Sequence, residues 1–553
     1  MRVGTPRGFR DILPSEAAAR ERITRTVQDC FASHGYLPIE TPMLEDHGVL
    51  ERGGHVPDSP FRLFDSDGSV LVLRPDITLA VARMVAGRMP TASLPLRLRY
   101  SAPVVREEAS LPGQPRQFTQ LGIELVGAEG TSGDFEMVEL LSEVLETLGV
   151  PAWTIVCGSV LPLVSLLDSC APGADFREQA LELVHASDFV GLDELIAGSS
   201  LSPAAAEALS RIPRIAGGVE AVAELDGLLA RAGVPVDQRG TAELRELMDC
   251  CGELVSAGQL RIDCSVINSF DYYTGVIVKA YAEGITAALA SGGRYDAVLA
   301  NYGLDDTAAC GFMLSLERLQ EVLGEQGESG VVAHHVSLAE RRLRIAVPKG
   351  ALFKPTVAAL AEAGLDVEEL YDLGRRLIVA AGDVEYVIVR AQDAPAFVAY
   401  GGADCGICGN DSIFEANVDL LQLVDLGYGR CRFVVAEPTE AAGAAERAYS
   451  WRGTVRVASK YPRITRAYYD RIGQQVDVIT LHGNIELGPI VGMCDRIVDI
   501  TETGATLEQN GLAIVDDVMQ CSARFFAGPA AYRSDRRIRE LASRLAELTN
   551  HED

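Results

Sequence analysis

Residues 499–506, near the end of the 553-residue chain, combine acids, threonines and one glycine between two apolar runs. Residues 496–500 predict a strand, and residues 507–510 predict the start of a helix. A strand, a glycine-containing turn and a helix start direct backbone N–H groups toward an anion, and Gly504 lets the backbone approach it closely. We therefore expect a phosphate site here, although T-G-x-T also fits a turn capped by threonine.

The side chains of this segment suit a phosphorylated ribose better than a bare phosphate. Thr503 and Thr506 add hydroxyl donors for phosphate oxygens. Asp499 and Glu502 would repel phosphate, so they fit ribose hydroxyls or a magnesium ion carried by the substrate. The predicted cradle for a phosphoribosyl compound consists of Asp499, Glu502, Thr503, Gly504, Ala505 and Thr506.

The composition indicates a globular chain of several domains. With 48% hydrophobic and 23% charged residues, a chain of 553 residues is expected to form about two to four domains. No apolar run approaches the roughly 18 residues that a membrane helix needs. The N-terminus lacks the apolar segment of a signal peptide, so we expect a cytoplasmic protein without membrane contact.

Charge and cysteine content restrict the partners. The formal net charge of -29 argues against a large RNA-binding surface, because nucleic-acid affinity depends on Lys and Arg. Twelve scattered cysteines predict reduced, buried thiols rather than a disulfide framework. The C-x-x-C formed by Cys405 and Cys408 has no second ligand pair nearby, so we expect no metal held directly by the protein.

The chain divides into two blocks joined by a polar linker, residues 326–342. The first block, residues 1–325, has strands without regular βαβ alternation, which favours an α+β domain on an antiparallel sheet. A Leu- and Ala-rich stretch at about residues 160–260 predicts a mainly helical insertion. Near the N-terminus, Ser15 predicts a helix N-cap and Gly35 predicts the end of the same helix.

The second block, residues 343–553, alternates short apolar strands with helices. This pattern predicts an α/β domain with mainly parallel strand pairing. We expect two α/β lobes with a cleft between them: residues 343–433 plus the C-terminal helices, and residues 434–520. Ligands of such sheets usually bind at the carboxyl ends of the strands.

Several segments of the second block carry a family resemblance. They are CDRIVDITETGATLEQNGL around the cradle, IAVPKG, GRRLI, VRAQDAPAFV, GGADCGICGND, VASKYP and LHGNIELGPIVG. Together they resemble the short form of ATP phosphoribosyltransferase, the first enzyme of histidine biosynthesis. The resemblance implies a two-lobed fold similar to periplasmic binding proteins, and phosphoribosyl pyrophosphate as the ligand of the cradle.

The resemblance also implies a reaction: N1 of adenine in ATP attacks C1 of phosphoribosyl pyrophosphate, and pyrophosphate leaves with substrate-borne Mg2+. Adenine N1 has a free lone pair, so orienting the substrates and stabilising the leaving group are the difficult parts. The family motifs place Lys349 and Arg375 as catalytic cations, and Arg390, Lys460 and Glu486 as substrate contacts. The alternative is a surface cation on a loop, or for Glu486 a helix-start acid.

Two positions depart from the family pattern. Ala351 stands where relatives commonly have arginine, and Asn410 stands where relatives often have lysine. Each lost charge is expected to remove about a few kcal/mol of transition-state stabilisation unless an arginine from the first block or a neighbouring subunit replaces it. Arg376, next to Arg375, we interpret as a surface cation.

The first block carries a second resemblance. GYLPIETPMLE, VVREEASLPGQPRQFTQLGIELVG and GFMLSLERL resemble the three class II synthetase motifs, while INSFDYYTG and SGGRYD resemble the two histidine-specific segments. LRPDIT matches the form typical of the regulatory subunits of ATP phosphoribosyltransferase, which are similar to histidyl-tRNA synthetase. The resemblance implies a class II, histidyl-tRNA synthetase-like regulatory domain.

A histidine pocket in this domain follows from the same resemblance, with histidine as the expected feedback inhibitor. A carboxylate can hold the α-amino group, an arginine the α-carboxylate, and an acid or phenol can orient the imidazole. The alternative is that these residues form only the satisfied polar core of a former synthetase. The positions are Asp76, Thr78, Arg106, Gln120, Glu124, Tyr272 and Tyr273.

Three functions follow from these patterns. The leading hypothesis is an ATP phosphoribosyltransferase with its histidine-sensing regulator fused in front, assembled as a homodimer or tetramer. The second is a catalytically lapsed protein that senses histidine or a nucleotide, based on Ala351 and Asn410. The third, a histidyl-tRNA synthetase, is disfavoured because Asn268 and Gln114 replace family arginines and the anticodon-binding domain is missing, so we expect no tRNA partner.

Overall fold

The computed structural model describes residues 4–54, 61–106, 115–266, 273–283, 285–324, 341–441 and 443–549. The chain forms two compact units, Met1–Glu340 and Arg341–Asp553. Four features named from the sequence lie outside the described residues, namely Gln114, Asn268, Tyr272 and most of the linker.

The N-terminal unit is built on strands and helices in mixed order. Its strands are β1 (Leu37–Pro38), β2 (Leu44–Asp46), β3 (Arg62–Phe64), β4 (Val70–Leu73), β5 (Leu96–Val105), β6 (Gln117–Val126), β7 (Thr154–Ser159), β8 (Ala216–Gly217), β9 (Leu260–Asp263), β10 (Val276–Tyr281), β11 (Ala290–Arg294) and β12 (Ala309–Ser315). Its helices are α1 (Pro14–Ser33), α2 (His47–Gly53), α3 (Thr78–Arg88), α4 (Thr131–Thr147), α5 (Leu161–Cys170), α6 (Ala174–His185), α7 (Phe189–Ala197), α8 (Pro203–Arg211), α9 (Val219–Arg231), α10 (Ala242–Cys250), α11 (Gly252–Ser256), α12 (Asp296–Asn301) and α13 (Leu316–Val322).

A large, mainly antiparallel sheet organises this unit, in the order β1-β5-β6-β12-β11-β10-β7-β9-β8. Only the short contacts β1–β5 and β7–β9 are parallel among its described pairings. Helices α5 to α11 lie between β7 and β9 in the chain. The antiparallel α+β class predicted from the sequence is confirmed.

The two faces of β6 serve different purposes because side chains alternate along a strand. Leu121, Ile123 and Leu125 are fully buried in a core that includes residues of α1 and α4. The intervening residues, which include Gln120 and Glu124, face the other side of the sheet. Alternation along this one strand therefore separates an apolar core from a polar pocket.

The C-terminal unit alternates strands and helices. Its strands are β13 (Leu343–Pro348), β14 (Ile378–Ala381), β15 (Val384–Val389), β16 (Cys405–Gly409), β17 (Leu421–Asp425), β18 (Cys431–Pro438), β19 (Val455–Ser459), β20 (Val476–Thr480), β21 (Arg496–Thr501), β22 (Leu512–Cys521) and β23 (Ala523–Ala527). Its helices are α14 (Phe353–Glu362), α15 (Glu368–Tyr371), α16 (Ala394–Ala399), α17 (Asn410–Ala416), α18 (Ala444–Arg452), α19 (Pro462–Arg471), α20 (Leu487–Ile490), α21 (Ala505–Gln509), α22 (Pro529–Ser534) and α23 (Arg536–Thr549).

Two sheets form the two lobes of this unit, β14-β15-β13-β16-β23-β17 and β20-β19-β21-β18-β22. Each has a parallel core, β15-β13-β16 or β20-β19-β21, flanked by antiparallel neighbours. The expectation of mainly parallel pairing is therefore wrong, and both sheets are mixed. The reason is that the chain leaves the first sheet after β17 and returns to it through β23, so the connecting strands run against the parallel core.

No described helix combines the length and the apolar character that crossing a bilayer requires.

Candidate functional site

Three cations lie at or near the carboxyl edge of the parallel strands in the first lobe. Lys349 and Arg390 directly follow the last paired residues of the parallel strands β13 and β15, and the Lys349 N–H donates to the carbonyl of Val389 at 2.7 Å. Arg375 precedes β14, which runs antiparallel to β15, so Arg375 lies toward the same carboxyl edge. All three side chains are exposed. This edge can therefore present concentrated positive charge to a polyphosphate.

Arg375 and its neighbour Arg376 are in different environments. Arg376 forms an ion pair with Glu369 at 2.6 Å and donates to the carbonyls of Leu373 and Asp372, so it closes the end of α15. Arg375 makes no hydrogen bond or ion pair with any other residue that the structure describes. Its guanidinium is therefore available to a ligand, whereas that of Arg376 has a structural role.

The second lobe brings Lys460, Asp499 and Glu486 together at the carboxyl edge of its own sheet. Lys460 and Asp499 directly follow Ser459 and Val498, the last paired residues of the parallel strands β19 and β21. Burial raises the pKa of Asp499, and the negative charge of Glu486 raises it further. Two groups lower the same pKa: the N–H of Ile500, which donates to Asp499 at 2.8 Å, and the positive charge of Lys460. These three side chains are thus electrostatically linked.

The loop after β21 has the geometry that the sequence predicts for a tight turn into a helix. Gly504 has φ of +83°, and its N–H donates to Thr501 Oγ1 at 2.8 Å. Only glycine adopts this left-handed conformation without steric cost. Four side chains of the loop are exposed to solvent, those of Glu502, Thr503, Ala505 and Thr506. These groups are accessible to a substrate.

Glu486 is half-buried and occupies the N-cap position of α20, although its side chain does not cap the helix. Glu486 therefore stands at a helix start without capping the helix through its side chain. Its interaction with Asp499 shows that this place also lies beside the cradle.

The sequence did not single out Asp411, which lies in the first turn of α17 in the first lobe. It is 9% exposed, and burial raises its pKa. Local hydrogen bonds from Ser412 and from its own backbone N–H oppose the rise, as does the charge of Lys460 in the second lobe. Gln392 of the first lobe donates to the hydroxyl of Tyr461 at 3.3 Å, which also links the lobes. Asp411 could have been identified from the sequence, because this acid of the G-N-D segment stands where a strand ends.

Asn410, which replaces a family lysine, has a structural role. Its Nδ2 donates to the carbonyl of Gln520 at 3.1 Å, and its Oδ1 accepts the N–H of Ser522 at 3.2 Å. These bonds tie the start of α17 to the segment that returns from the second sheet to the first. A cationic side chain at this position would lose the Oδ1 acceptor.

The described residues contain no group of three or more His, Cys, Asp and Glu side chains that could hold a metal ion. The acids in or beside the cradle include Asp499, which already accepts one backbone N–H, the exposed Glu502 and the half-buried Glu486. Their arrangement fits contact with a ligand or its counter-ion rather than a closed protein metal site.

A second polar site lies in the N-terminal unit around Glu124. Glu124 is 1% exposed and accepts hydrogen bonds from Thr78 at 2.7 Å, from Tyr100 at 3.3 Å and from Tyr295. Burial raises its pKa to about 8, with the charge of Asp76 adding to the rise and the three hydroxyl donors opposing it. The carboxyl is held in place by hydroxyls, and its burial favours the protonated form.

Asp76, Arg106 and Tyr273 belong to the same site. Burial raises the pKa of Asp76, while the N–H groups of Leu79 and Thr78 and the charge of Arg106 oppose the rise. Arg106 stacks over the ring of Phe118 at 4.8 Å from its centroid. Burial raises the pKa of Tyr273 as well, and both Asp76 and Arg106 act on it. The structure thus brings these predicted residues together.

Gln120, a buried residue of this site, has incomplete hydrogen bonding among the described residues. It is 1% exposed, and neither atom of its amide has a hydrogen-bond partner among the described residues. Buried amides are nearly always paired in folded proteins. Nearby, a Cβ at Gly311 would lie 2.3 Å from Glu124 Oε2, so glycine is required to leave room for the acid. The site has the features of a small polar ligand pocket.

Tyr100 and Tyr295 were not predicted, although both donate to Glu124. Tyr295 belongs to the SGGRYD segment, so the signal was present in a motif already identified. Tyr100 lies in β5, and only the β5–β6 register, which pairs it with Gly122, reveals its position. Of the seven residues predicted for this pocket, Tyr272 lies outside the described part of the chain.

Comparison with known families agrees with this two-part architecture. The family model for histidyl-tRNA synthetase matches residues 8–319, and the family model for ATP phosphoribosyltransferase matches residues 390–547. A solved structure described as an ATP phosphoribosyltransferase regulatory subunit/histidyl-tRNA synthetase from Bacillus halodurans is 26% identical with a TM-score of 0.54, covering 70% of this chain and 99% of that chain.

Two relatives correspond to the two parts. The ATP phosphoribosyltransferase of Rubrobacter xylanophilus is 47% identical over 193 residues, which is 35% of this chain and 89% of the relative. The ATP phosphoribosyltransferase regulatory subunit of Moorella thermoacetica is 32% identical over 333 residues, which is 60% of this chain and 85% of the relative. The chain therefore belongs to the ATP phosphoribosyltransferase family, with a histidyl-tRNA synthetase-like regulatory domain ahead of the transferase domain.

Proposed function

We propose that this chain is an ATP phosphoribosyltransferase of histidine biosynthesis that carries its own regulator. In the reaction, a bond forms between adenine N1 of ATP and C1 of phosphoribosyl pyrophosphate. The bond from C1 to pyrophosphate breaks, and its electron pair leaves with the pyrophosphate. The observation that carries this proposal is the pairing of a cationic edge on one lobe with an acid-and-threonine cradle on the other, within one transferase domain.

Each edge has its own part in this reaction. Lys349, Arg375 and Arg390 stabilise the negative charge that develops on pyrophosphate, since fixed cations need no reorganisation as the charge forms. Lys460 lies on the opposite lobe and extends this positive field to the second substrate's phosphates. No strong base is required, because the adenine lone pair is already available.

The cradle holds the other end of phosphoribosyl pyrophosphate. Asp499 binds the ribose hydroxyls, and Glu486 contacts a hydroxyl or supports the loop. The hydroxyls of Thr503 and Thr506 and the backbone at Gly504 and Ala505 bind the 5'-phosphate. Mg2+ enters with the substrate, and the exposed Glu502 faces the ribose hydroxyls or this ion at the rim.

The matched pair Arg375 and Arg376 tests this assignment. We expect Arg375→Ala to lower kcat/KM about 100-fold to 1,000-fold, the effect of removing one fixed donor to a developing charge. Arg376→Ala should leave kcat/KM nearly unchanged and lower only stability, because its partners are Glu369 and backbone carbonyls. The measurement is steady-state formation of phosphoribosyl-ATP from ATP, phosphoribosyl pyrophosphate and Mg2+.

The same assay separates the competing functions. A wild-type chain that forms no phosphoribosyl-ATP at any substrate concentration would favour the catalytically lapsed sensor. Histidine-dependent exchange between ATP and pyrophosphate, together with tRNA charging, would instead indicate a synthetase.

We further infer that the Glu124 pocket binds histidine and that bound histidine inhibits the transferase. The Gln120 amide, which has no hydrogen-bond partner among the residues that the structure describes, carries this inference, since a ligand with polar groups would complete its hydrogen bonding. Asp76 suits the α-amino group, Arg106 the α-carboxylate, and Glu124 with Tyr273 the imidazole. Thr78 holds Glu124 in place, and Tyr272 is assigned to the same pocket by its motif.

A further inference from the structure

Cys431 and Cys521 lie opposite each other where the chain passes between the two lobes of the transferase unit. Cys431 is the first residue of β18 and Cys521 is the last residue of β22, and the two are register partners in this antiparallel pair. Both are free thiols. The adjoining residue Ser522 is tied by hydrogen bonds to Asn410 and Asp425 of the first lobe.

The backbone geometry suits a bond between the two sulfur atoms. Directly opposed residues of antiparallel strands have Cα atoms about 4.5–5.5 Å apart. Disulfides span Cα separations of about 4.4–6.8 Å, so the separation expected for this register pair lies within the range that a disulfide bridges. By contrast, Cys405 and Cys408 lie three residues apart along one strand, and successive side chains of a strand point to opposite faces.

The two thiols differ in access, as a nucleophilic and a resolving cysteine should. Cys431 is half-buried, whereas Cys521 is 4% exposed. The Cys521 thiol donates a hydrogen bond to the Cys431 sulfur, which lowers the pKa of Cys431, while burial and the charges of Asp411 and Glu502 oppose this effect. The same hydrogen bond, together with burial, raises the pKa of Cys521.

The pair also lies beside the cradle. β18 pairs with β21 so that Arg432 is opposite Thr501, which places Cys431 level with Glu502 at the start of the substrate loop. The charge of Glu502 acts on the Cys431 thiol, which agrees with this placement. A covalent change at Cys431 therefore occurs next to the segment that binds substrate.

We propose that Cys431 and Cys521 form a modification site for low-molecular-weight disulfides, and that the resulting internal disulfide slows phosphoribosyl transfer. The Cys431 thiolate attacks one sulfur of the small disulfide and releases one small thiol. Cys521 then attacks the Cys431 sulfur of the mixed disulfide and releases the second small thiol. Two cysteines are oxidised, one small disulfide is reduced to two thiols, and the cysteine protons pass to the departing thiolates.

The loss of activity follows from the position of the bond and rests on the proposed transferase function. A disulfide at the lobe crossing fixes the ends of β18 and β22, and lobe closure of two-lobed proteins depends on a few such connecting residues. It also removes the thiol that faces Glu502.

The experiment treats the full chain with oxidised glutathione and maps the products by mass spectrometry after non-reducing digestion. We expect a peptide pair linked through Cys431 and Cys521, while Cys405 and Cys408 stay reduced and the exposed Cys250 forms at most a mixed disulfide. Turnover should fall with the yield of this linked pair and return after treatment with a dithiol. Cys431→Ser should keep its turnover under the same oxidation, whereas Cys521→Ser should accumulate the mixed disulfide at Cys431 without forming the linked pair.

Two results would overturn the proposal. If Cys250 is modified but the linked peptides are not detected, Cys431 and Cys521 do not form the proposed modification site. Complete formation of the Cys431–Cys521 disulfide with unchanged turnover would show that the disulfide does not slow phosphoribosyl transfer. Because peptide mapping needs no catalysis, a chain that proves inactive in its reduced form would reject the transferase function without deciding the disulfide.

Discussion

At the residue scale, we propose that Arg430 replaces the charge that is missing at Ala351. Leu352 lies so near Gly429 that a Cβ at position 429 would be 2.4 Å from Leu352 Cδ2. Arg430 follows directly; it is exposed, and its Nε donates to the carbonyl of Gly427 at 2.9 Å. The turn that carries Ala351 therefore lies beside an arginine of the same unit.

We expect Arg430→Ala to lower kcat/KM for phosphoribosyl pyrophosphate about tenfold or more, because one fixed cation near the phosphates is lost. Adding Ala351→Arg to that variant should restore most of the loss. Arg432→Ala is the matched control, since Arg432 is already paired with Asp517 at 2.7 Å. If Ala351→Arg alone raised turnover by orders of magnitude, no compensation would exist in the native chain.

Glu124 makes stability depend on pH in a direction that can be worked out. Its pKa is about 8 in the folded state against an ordinary value of 4.5, so the folded state retains a proton that the unfolded state releases between these values. Its contribution to stability is complete below pH 4.5 and is lost as the pH rises to about 8. Glu124→Gln should therefore flatten the fall in unfolding free energy across this window, measured by urea unfolding.

Glu136→Gln serves as the control for that measurement. Glu136 is partly buried, but hydrogen bonds from Arg97 and Tyr36 outweigh burial and lower its pKa. Because its pKa is lowered from 4.5, Glu136 titrates below the range between pH 4.5 and about 8. Its substitution should therefore not change how the unfolding free energy falls with pH in that range. An unchanged slope in Glu124→Gln would show that the acid is ionised in the folded state at neutral pH.

Sequence patterns located residues at strand ends better than residues brought in from other elements. Lys460 was found through a family motif at a strand end and Asp499 near the end of a predicted strand, and the parallel pairing of β19 with β21 places these two positions side by side. Tyr100 was missed because its neighbours come from distant parts of the chain, whereas Asp411 was missed although it stands just after the end of β16. The roles assigned to these residues stay predictions until the variants are assayed.

At the element scale, the turn from β21 into α21 depends on the left-handed conformation of Gly504. We expect Gly504→Ala to destabilise the chain by about 1–2 kcal/mol, the cost of placing a Cβ in that conformation. It should also raise KM for phosphoribosyl pyrophosphate, because relief of the strain moves the loop backbone. Thermal unfolding and steady-state kinetics measure the two effects.

Gly511→Ala is the matched control for the turn. Gly511 has φ of +70° and ends the same helical segment, and a Cβ there would meet open space. The two variants should lose similar stability, but only Gly504→Ala should raise KM. Equal KM values would mean that the loop does not contact the substrate.

Local chemistry predicted element ends only where one residue type decides the outcome. Gly35 lies just beyond α1 with φ of +81°, as expected for a helix end. Ser15 was expected to cap this helix, but the helix begins at Pro14 with Leu13 at the N-cap, because proline fits the first turn. The mixed pairing of both transferase sheets was missed for another reason: strand direction depends on which sheet a strand rejoins, and periodicity carries no such information.

At the scale of the whole molecule, joining regulator and transferase in one chain fixes their ratio at one to one and raises their effective concentration. Motif order along the chain was sufficient to predict both parts, because each part carries several segments of its own family. The symmetry of the oligomer could not be predicted in this way, since no local sequence pattern indicates it. The expected homodimer or tetramer is tested by sedimentation equilibrium of the full chain.

We expect inhibition by histidine to depend on Gln120, and substitution of Gln120 should also change the thermal stability of the chain. A buried amide without partners costs about 1–3 kcal/mol, so Gln120→Met should raise the unfolding temperature when histidine is absent. The same variant should lose inhibition by histidine and any thermal shift on adding it, with uninhibited kcat unchanged. Gln320→Met is the control, because Gln320 is also buried in this unit but accepts from Arg20 at 3.1 Å. Normal inhibition of Gln120→Met would place the histidine site elsewhere and return this pocket to a structural core.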